Sequence, residues 1–366
     1  MQKRILILTA GFGEGHNAAA RGMQEGLAEV SGGAAKVELR DLFADSFGMV
    51  NTWARKAYLT AINHFPQSWG RFYNWLDRQE EFAPKMRWLF MARARLGRLL
   101  QRFQPSAVVS VFPAYPYLLE SILGGSRAPF RRIICITDSI TVNAIWYRAA
   151  ADLFLVPNEL TAAILDRVPV PRELVRVTGF PVSTKFASLG DIRRPPSRNE
   201  GYRILYVINA GGLVAADVIR GLASMPGVKL TVTVGRDQHL RGTVEALRAE
   251  TGSSFEIVGW TDQLPRMMSE SHLLISKAGG ATTQEAIAAK CPMIVNQIVP
   301  GQEEGNARLI AETNCGVIAT DSSAILKAAA QAFAHDLRTW REWSANIARL
   351  SRPRAALEIA SLLLTL

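Results

Sequence analysis

Lys3-Arg-Ile-Leu-Ile-Leu-Thr9, running into Ala10-Gly11-Phe-Gly13-Glu-Gly15-His16-Asn17, decides the fold. The continuous apolar run reads as a short buried strand. The glycines read as a turn that lets backbone approach a ligand closely, and residues from about Ala18 to Val30 as the helix that follows. That helix offers free N–H groups to an anion at its start. Strand, glycine turn and helix together open a doubly wound α/β domain.

Working outward, the pattern repeats. Val37 to Leu39, Ala107 to Phe112, Arg132 to Thr137 and Leu153 to Val156 are strand candidates separated by helical stretches, which predicts a parallel sheet with crossover helices. Asp191 to Gly201 is polar and holds two adjacent prolines, and reads as a linker. Beyond it the alternation restarts at Arg203 to Asn209, Lys229 to Gly235, Ser254 to Val258, Leu273 to Ser276 and Met293 to Asn296. The tail from about Ser322 is helical in pattern. The expected architecture is α/β: two doubly wound, Rossmann-like domains facing a cleft. The first spans 1–190 and the second 201–335, with helices in 336–366 packing back on the first. Ligands in such sheets bind at the carboxyl ends of the strands.

Composition sets further bounds. The chain has 366 residues, 48% of them hydrophobic, which is enough for two domains with separate cores. No uninterrupted apolar run reaches the length of a transmembrane helix, and Ile5 to Ala10 is too short for a signal peptide. Cys135, Cys291 and Cys315 are far apart and suit a reducing compartment. The five histidines are scattered, so no metal site is expected. Residues 1–200 hold 26 Lys/Arg against 17 Asp/Glu, whereas residues 201–366 hold 16 against 15. The basic first half points to an anionic partner there.

Three motifs carry chemistry. In the first, Gly13 and Gly15 precede His16. A dinucleotide fold competes, with Glu38 or Asp41 as its acidic residue, but its strict fingerprint needs glycine where His16 stands. His16 is either a catalytic base or a helix-start residue bonded to backbone. The second motif is Ser276-Lys-Ala-Gly279-Gly280-Ala-Thr282-Thr283-Gln-Glu285-Ala286. Gly279 and Gly280 can wrap a diphosphate, with Thr282 adding a hydroxyl. Glu285 fits two roles, partner of a ribose diol or the acid of a capping box with Thr282. The third is Pro300-Gly-Gln302-Glu303-Glu-Gly305-Asn306, where Gln302 and Glu303 are bidentate partners for sugar hydroxyls or members of a solvated turn.

In this order the motifs resemble the monogalactosyldiacylglycerol synthase family, which includes plastid galactolipid synthases and bacterial diacylglycerol glucosyltransferases. Thr137-Asp138 with Trp146, Val177-Thr-Gly179-Phe-Pro181-Val182 and Val258-Gly259-Trp260-Thr261 match as well. The resemblance covers roughly Ile5 to Val317. It implies a GT-B fold and an inverting transfer of a hexose from UDP-galactose or UDP-glucose to a lipid such as diacylglycerol, with no required cofactor. It implies His16 as base, Glu285 on the ribose, Gly279, Gly280 and Thr282 around the diphosphate, and Gln302 and Glu303 on the sugar. Gly13, Gly15 and Gly211 complete the nucleotide-sugar set. Two departures stand out: Asn209-Ala-Gly211-Gly212 is shorter than the family's usual glycine run, and Gly280 replaces its usual proline.

Phe47 to Phe103 holds Trp53, Trp69, Trp75 and Trp88, and Arg55 to Arg102 holds ten Lys/Arg against three Asp/Glu. Arg95, Arg98 and Arg102 share one helical face and Leu89, Leu96, Leu100 and Phe103 another. Trp75, Trp88 and the three arginines are therefore expected at an anionic membrane surface on the acceptor side, the alternative being a core helix with a solvated Arg face. No nucleic-acid-binding signature accompanies them. The expected partners are a UDP-sugar, a lipid acceptor and the inner face of the cell membrane, reached from the cytoplasm. Alternatives are a polyprenyl-linked or small-molecule acceptor, a nucleotide-sugar epimerase of the same fold, and a binding module without catalysis.

Overall fold

The computed structural model describes residues 2–11, 13–48, 89–193, 196–197, 200–208, 212–301 and 303–366. Trp53, Trp69, Trp75, Trp88, Gly211 and Gln302 lie outside them. The chain divides into two compact units. Unit 1 comprises Met1–Thr184, Val299–Gly305 and Arg354–Leu366, and unit 2 comprises Lys185–Ile298 and Asn306–Pro353.

Unit 1 is built on six parallel strands: β1 (Arg4–Leu8), β2 (Lys36–Arg40), β3 (Ala107–Ser110), β4 (Arg131–Cys135), β5 (Leu153–Val156) and β6 (Val175–Val177). Their order across the sheet is β2-β1-β3-β4-β5-β6. All β1 side chains but the first are buried, as a strand covered on both faces requires. The helices are α1 (Glu14–Ser31), α2 (Phe90–Phe103), α3 (Ala114–Leu123) and α4 (Glu159–Leu165). Leu6, Leu8, Leu96, Leu100, Phe103 and Tyr115 share one core cluster, while Ile134, Trp146, Phe154 and Val175 share another.

Unit 2 repeats the plan with β7 (Tyr202–Val207), β8 (Val228–Gly235), β9 (Glu256–Gly259), β10 (Leu273–Lys277), β11 (Met293–Gln297) and β12 (Gly316–Ile318). Its order is β12-β11-β10-β7-β8-β9, again parallel throughout. The remaining helices, in chain order, are α5 (Lys185–Leu189), α6 (Gly212–Ser224), α7 (Gln238–Thr251), α8 (Leu264–Glu270), α9 (Gly280–Ala288), α10 (Glu304–Glu312), α11 (Ser322–Phe333), α12 (Arg338–Leu350) and α13 (Ala355–Thr365). The helical tail splits at Arg354: α12 belongs to unit 2 and buries Trp340, Trp343 and Ile347, whereas α13 belongs to unit 1.

Close packing on α1 explains two glycines. A Cβ on Gly26 would come within 2.4 Å of the Ala356 carbonyl oxygen, so α13 lies directly on α1. A Cβ on Gly22 would come within 2.0 Å of the Pro181 carbonyl oxygen, so the Gly179-Phe-Pro181-Val182 segment is pressed on the same helix. Each sheet reverses strand order beside its first strand, between β1 and β3 in unit 1 and between β7 and β10 in unit 2. Ligand crevices of doubly wound sheets form at such points, and the first two motifs fall there, after β1 and β10.

The apolar face of α2 is not a membrane anchor. Leu89, Leu96, Leu100 and Phe103 are all buried in the unit 1 core. Arg102 is ion-paired with Glu38, which also holds Arg40, so Arg102 points to the β2 edge of its own sheet. The outward face of the helix keeps Phe90, Arg93 and Arg98 exposed, with Arg95 half-buried. Among the described residues no helix is long and apolar enough to cross a membrane.

Candidate active site

The first glycine turn is held in place by a carboxylate. Asp41 Oδ2 accepts from the Gly11 amide at 2.8 Å, while Oδ1 accepts from the Phe43 and Ala44 amides at the start of the next helical segment. Tyr115 pins the same junction from below: its hydroxyl donates to the Thr9 carbonyl at 2.6 Å and accepts from the Leu42 amide at 2.9 Å. Glu38 is engaged by Arg40 and Arg102. Both acids that a dinucleotide fold would turn toward a ribose therefore serve the scaffold.

Gly13 is the N-cap of α1 in extended backbone, without a side-chain cap, and Gly15 and His16 lie in its first turn. The His16 ring is half-buried, edge-on to Phe112 at 5.2 Å and tilted against Trp146 at 5.9 Å between centroids. Its Nδ1 lies 3.0 Å from Thr137 Oγ1. Phe112 follows β3 and Thr137 follows β4, so the sheet itself brings these side chains around the helix start. Packing strips water from the ring and lowers its pKa from 6.5 to about 4, against a smaller opposing pull from the Val111 backbone. His16 is neutral at pH 7 and so able to take up a proton. The neighbouring Asp138 is turned to Trp146, whose indole N–H donates to Oδ2 at 2.7 Å.

In unit 2, β10 ends at Lys277 and α9 begins after Gly279, which is its N-cap and makes no side-chain cap. Thr282 therefore sits within the first turn and Glu285 nearly a turn further on. The capping-box role for this pair is corrected, because a capping box needs Thr282 before the helix and Glu285 at its third residue. Thr282 and Glu285 are both half-buried, and Thr283 is fully buried. Asn306 Nδ2 donates to the Ala278 carbonyl at 3.1 Å, tying α10 to the turn that opens α9.

The third motif differs from its surface reading. Glu303 is only 6% exposed. Its Oε2 accepts from the Val299 amide at 3.0 Å and its own amide donates to the Val299 carbonyl at 3.0 Å, so one carboxylate oxygen is committed to clasping its loop. Gly301 in this loop has a left-handed φ of 81°, a conformation glycine adopts without strain. Thr137, Tyr115 and Asn306 had no assigned role in the sequence reading, since their contacts join residues remote along the chain.

Residues 16–182 match the family model of monogalactosyldiacylglycerol (MGDG) synthase, and residues 220–339 match the C-terminal domain of glycosyltransferase family 28. The first part of the chain is thus similar to the monogalactosyldiacylglycerol synthase family and the second to glycosyltransferase family 28. The chain is a glycosyltransferase, and its two parallel sheets are those of the GT-B fold. The chain is 24% identical over 334 residues to the processive diacylglycerol beta-glucosyltransferase of Bacillus subtilis (strain 168), covering 89% of this chain and 85% of that protein. The enzyme of the same name from Bacillus cereus (strain AH187) is 24% identical over 343 residues, covering 92% and 87%. Among solved structures, Acinetobacter baumannii MurG superposes with a TM-score of 0.64 at 15% identity over 100% of both chains. S. aureus MnaA with UDP gives 0.63 at 12% identity, over 97% of this chain and 94% of that one. At these identities the two structures speak for the fold.

Proposed function

We propose that this glycosyltransferase transfers a hexose from UDP-glucose or UDP-galactose to a hydroxyl of a membrane lipid such as diacylglycerol, with inversion at the anomeric carbon. The supporting observation is the neutral His16 at the β1–β3 switch point of unit 1, matched by an uncapped helix start with Gly279, Gly280 and Thr282 at the equivalent point of unit 2. The relatives named for diacylglycerol glucosylation favour a lipid acceptor. The imidazole takes the acceptor proton as its oxygen bonds to the anomeric carbon. The bond from that carbon to the UDP oxygen breaks, and the departing diphosphate is stabilised by the amides and dipole at the start of α9. Glu285 accepts from the ribose hydroxyls, and Gln302 and Glu303 receive the sugar.

The acceptor side of the reading includes attachment at an anionic surface through Arg95 and Arg98, with Phe90 (66% exposed) beside them. Arg102 has no part in it, being paired with Glu38. The test is mass spectrometry of lipids from cells expressing the chain or its His16→Ala variant. A hexosyl lipid that accumulates only with the unaltered chain is expected; indistinguishable lipid profiles would overturn the reading.

A further inference from the structure

The ring of His16 meets a hydroxyl where a carboxylate stands next door. Thr137 Oγ1 is 3.0 Å from Nδ1, while the adjacent Asp138 holds the Trp146 indole instead. A hydroxyl both donates and accepts, so the contact alone allows two tautomers. In one, Thr137 donates to Nδ1 and Nε2 carries the proton, which leaves the ring unable to act as a base through Nε2. In the other, Nδ1–H donates to Thr137 Oγ1 and Nε2 is unprotonated. Only the second fits a ring that receives a proton at Nε2, with Nδ1–H shared between Thr137 Oγ1 and the Val111 backbone carbonyl that the ring also meets, and it keeps this bonding in the neutral and the charged state.

The turn that follows Thr137 is fixed by its surroundings. Ile140, a β-branched residue, has a left-handed φ of 58°, a conformation such residues keep only when their surroundings impose it. The Ile140 amide donates to Thr161 Oγ1 at 3.2 Å, and the Thr141 amide donates to the Ser139 carbonyl at 2.6 Å. Gly305 closes on the turn so tightly that a Cβ there would lie 1.8 Å from the Ser139 carbonyl oxygen. Thr137 is 4% exposed, so acceptor does not reach it, and its influence runs through the ring.

We infer that Thr137 is the positioning residue for His16: it accepts from Nδ1–H and leaves Nε2 as the proton acceptor. This rests on the reading of His16 as the base. The test compares Thr137→Val, which removes the hydroxyl at nearly constant shape, with Thr137→Ser, which keeps it, and with His16→Ala. Turnover with UDP-hexose and diacylglycerol, UDP affinity by calorimetry, and 15N NMR of the imidazoles are read for each. Thr137→Val is expected to lower kcat about ten- to a hundredfold, the scale of one hydrogen bond to a charged group. UDP affinity is expected to hold, and Thr137→Ser to restore most of the rate. The unaltered protein at pH 7 is expected to show a protonated Nδ1 and an unprotonated Nε2 at His16. An unchanged rate in Thr137→Val with an inactive His16→Ala, or an Nε2-protonated ring in the unaltered protein, would overturn this inference alone. An active His16→Ala would overturn the underlying reading instead.

Discussion

The Gly11 amide donates to the carboxylate of Asp41 at 2.8 Å, across a junction between the first strand's turn and the end of the second strand. The same carboxylate receives the Phe43 and Ala44 amides. Replacing Asp41 by Ala leaves three amides without their partner and is expected to cost about 2 kcal/mol or more in urea denaturation, the scale of a lost cap with part-buried donors. A variant with unchanged stability and weakened nucleotide binding would instead restore the dinucleotide reading of this acid.

His16 couples stability to pH. Its folded-state pKa is about 4 against 6.5 for the ordinary group, so the unfolded chain takes up a proton first as pH falls. The contribution is therefore complete above about 6.5 and is lost between about 6.5 and about 4, amounting to about 3 kcal/mol at most. Denaturation of the unaltered protein and of His16→Ala at pH 7.5 and pH 4.5 checks this: the variant is expected to lose less stability on acidification. Equal losses would contradict the desolvated, neutral ring. The same shift predicts that the acid limb of the rate profile lies near pH 4 to 5, below the usual histidine range.

Glu285 lies beyond the capping-box position, since α9 starts after Gly279. Glu285→Gln is expected to weaken UDP binding by about 1–3 kcal/mol through loss of a charged hydrogen-bond partner, with little change in melting temperature. Calorimetry showing full UDP affinity and a lowered melting temperature would return the residue to a structural role.

Arg95 and Arg98 are distinguished from Arg102 by the Glu38 ion pair. Exchanging Arg95 and Arg98 for Gln is expected to weaken binding to phosphatidylglycerol-containing vesicles by about 2 kcal/mol, roughly thirtyfold, more at low salt than at high. Arg102→Gln is expected to leave co-sedimentation nearly unchanged. Equal binding of the double variant and the unaltered protein would make these arginines a solvated face.

The legible parts of the fold were those with local signatures. Leu153–Val156 is an uninterrupted apolar run and ends where its composition ends. The strands Val175–Val177 and Gly316–Ile318 went unseen, because three residues are too few to show a periodicity. Helix α1 starts at Glu14, four residues before the expected Ala18, because Gly15 and His16 read as loop while Gly13 already caps the helix. The apolar stripe of α2 was legible as a stripe, but a sequence does not say whether such a stripe meets lipid or a core, and here it meets the core. In the site, the glycines and His16 follow from the order of motifs. Thr137 lies 121 positions from its partner, and only the parallel order of β1, β3 and β4 brings the two together.

The central claim is most directly tested with purified protein given UDP-glucose or UDP-galactose, each with and without diacylglycerol in mixed vesicles, reading UDP release and lipid products by mass spectrometry. The account predicts UDP release that depends on diacylglycerol, together with a hexosyl lipid whose anomeric configuration is opposite to that of the donor. Conversion of the donor to an epimer without diacylglycerol, or UDP release with no hexosyl lipid formed, would contradict it.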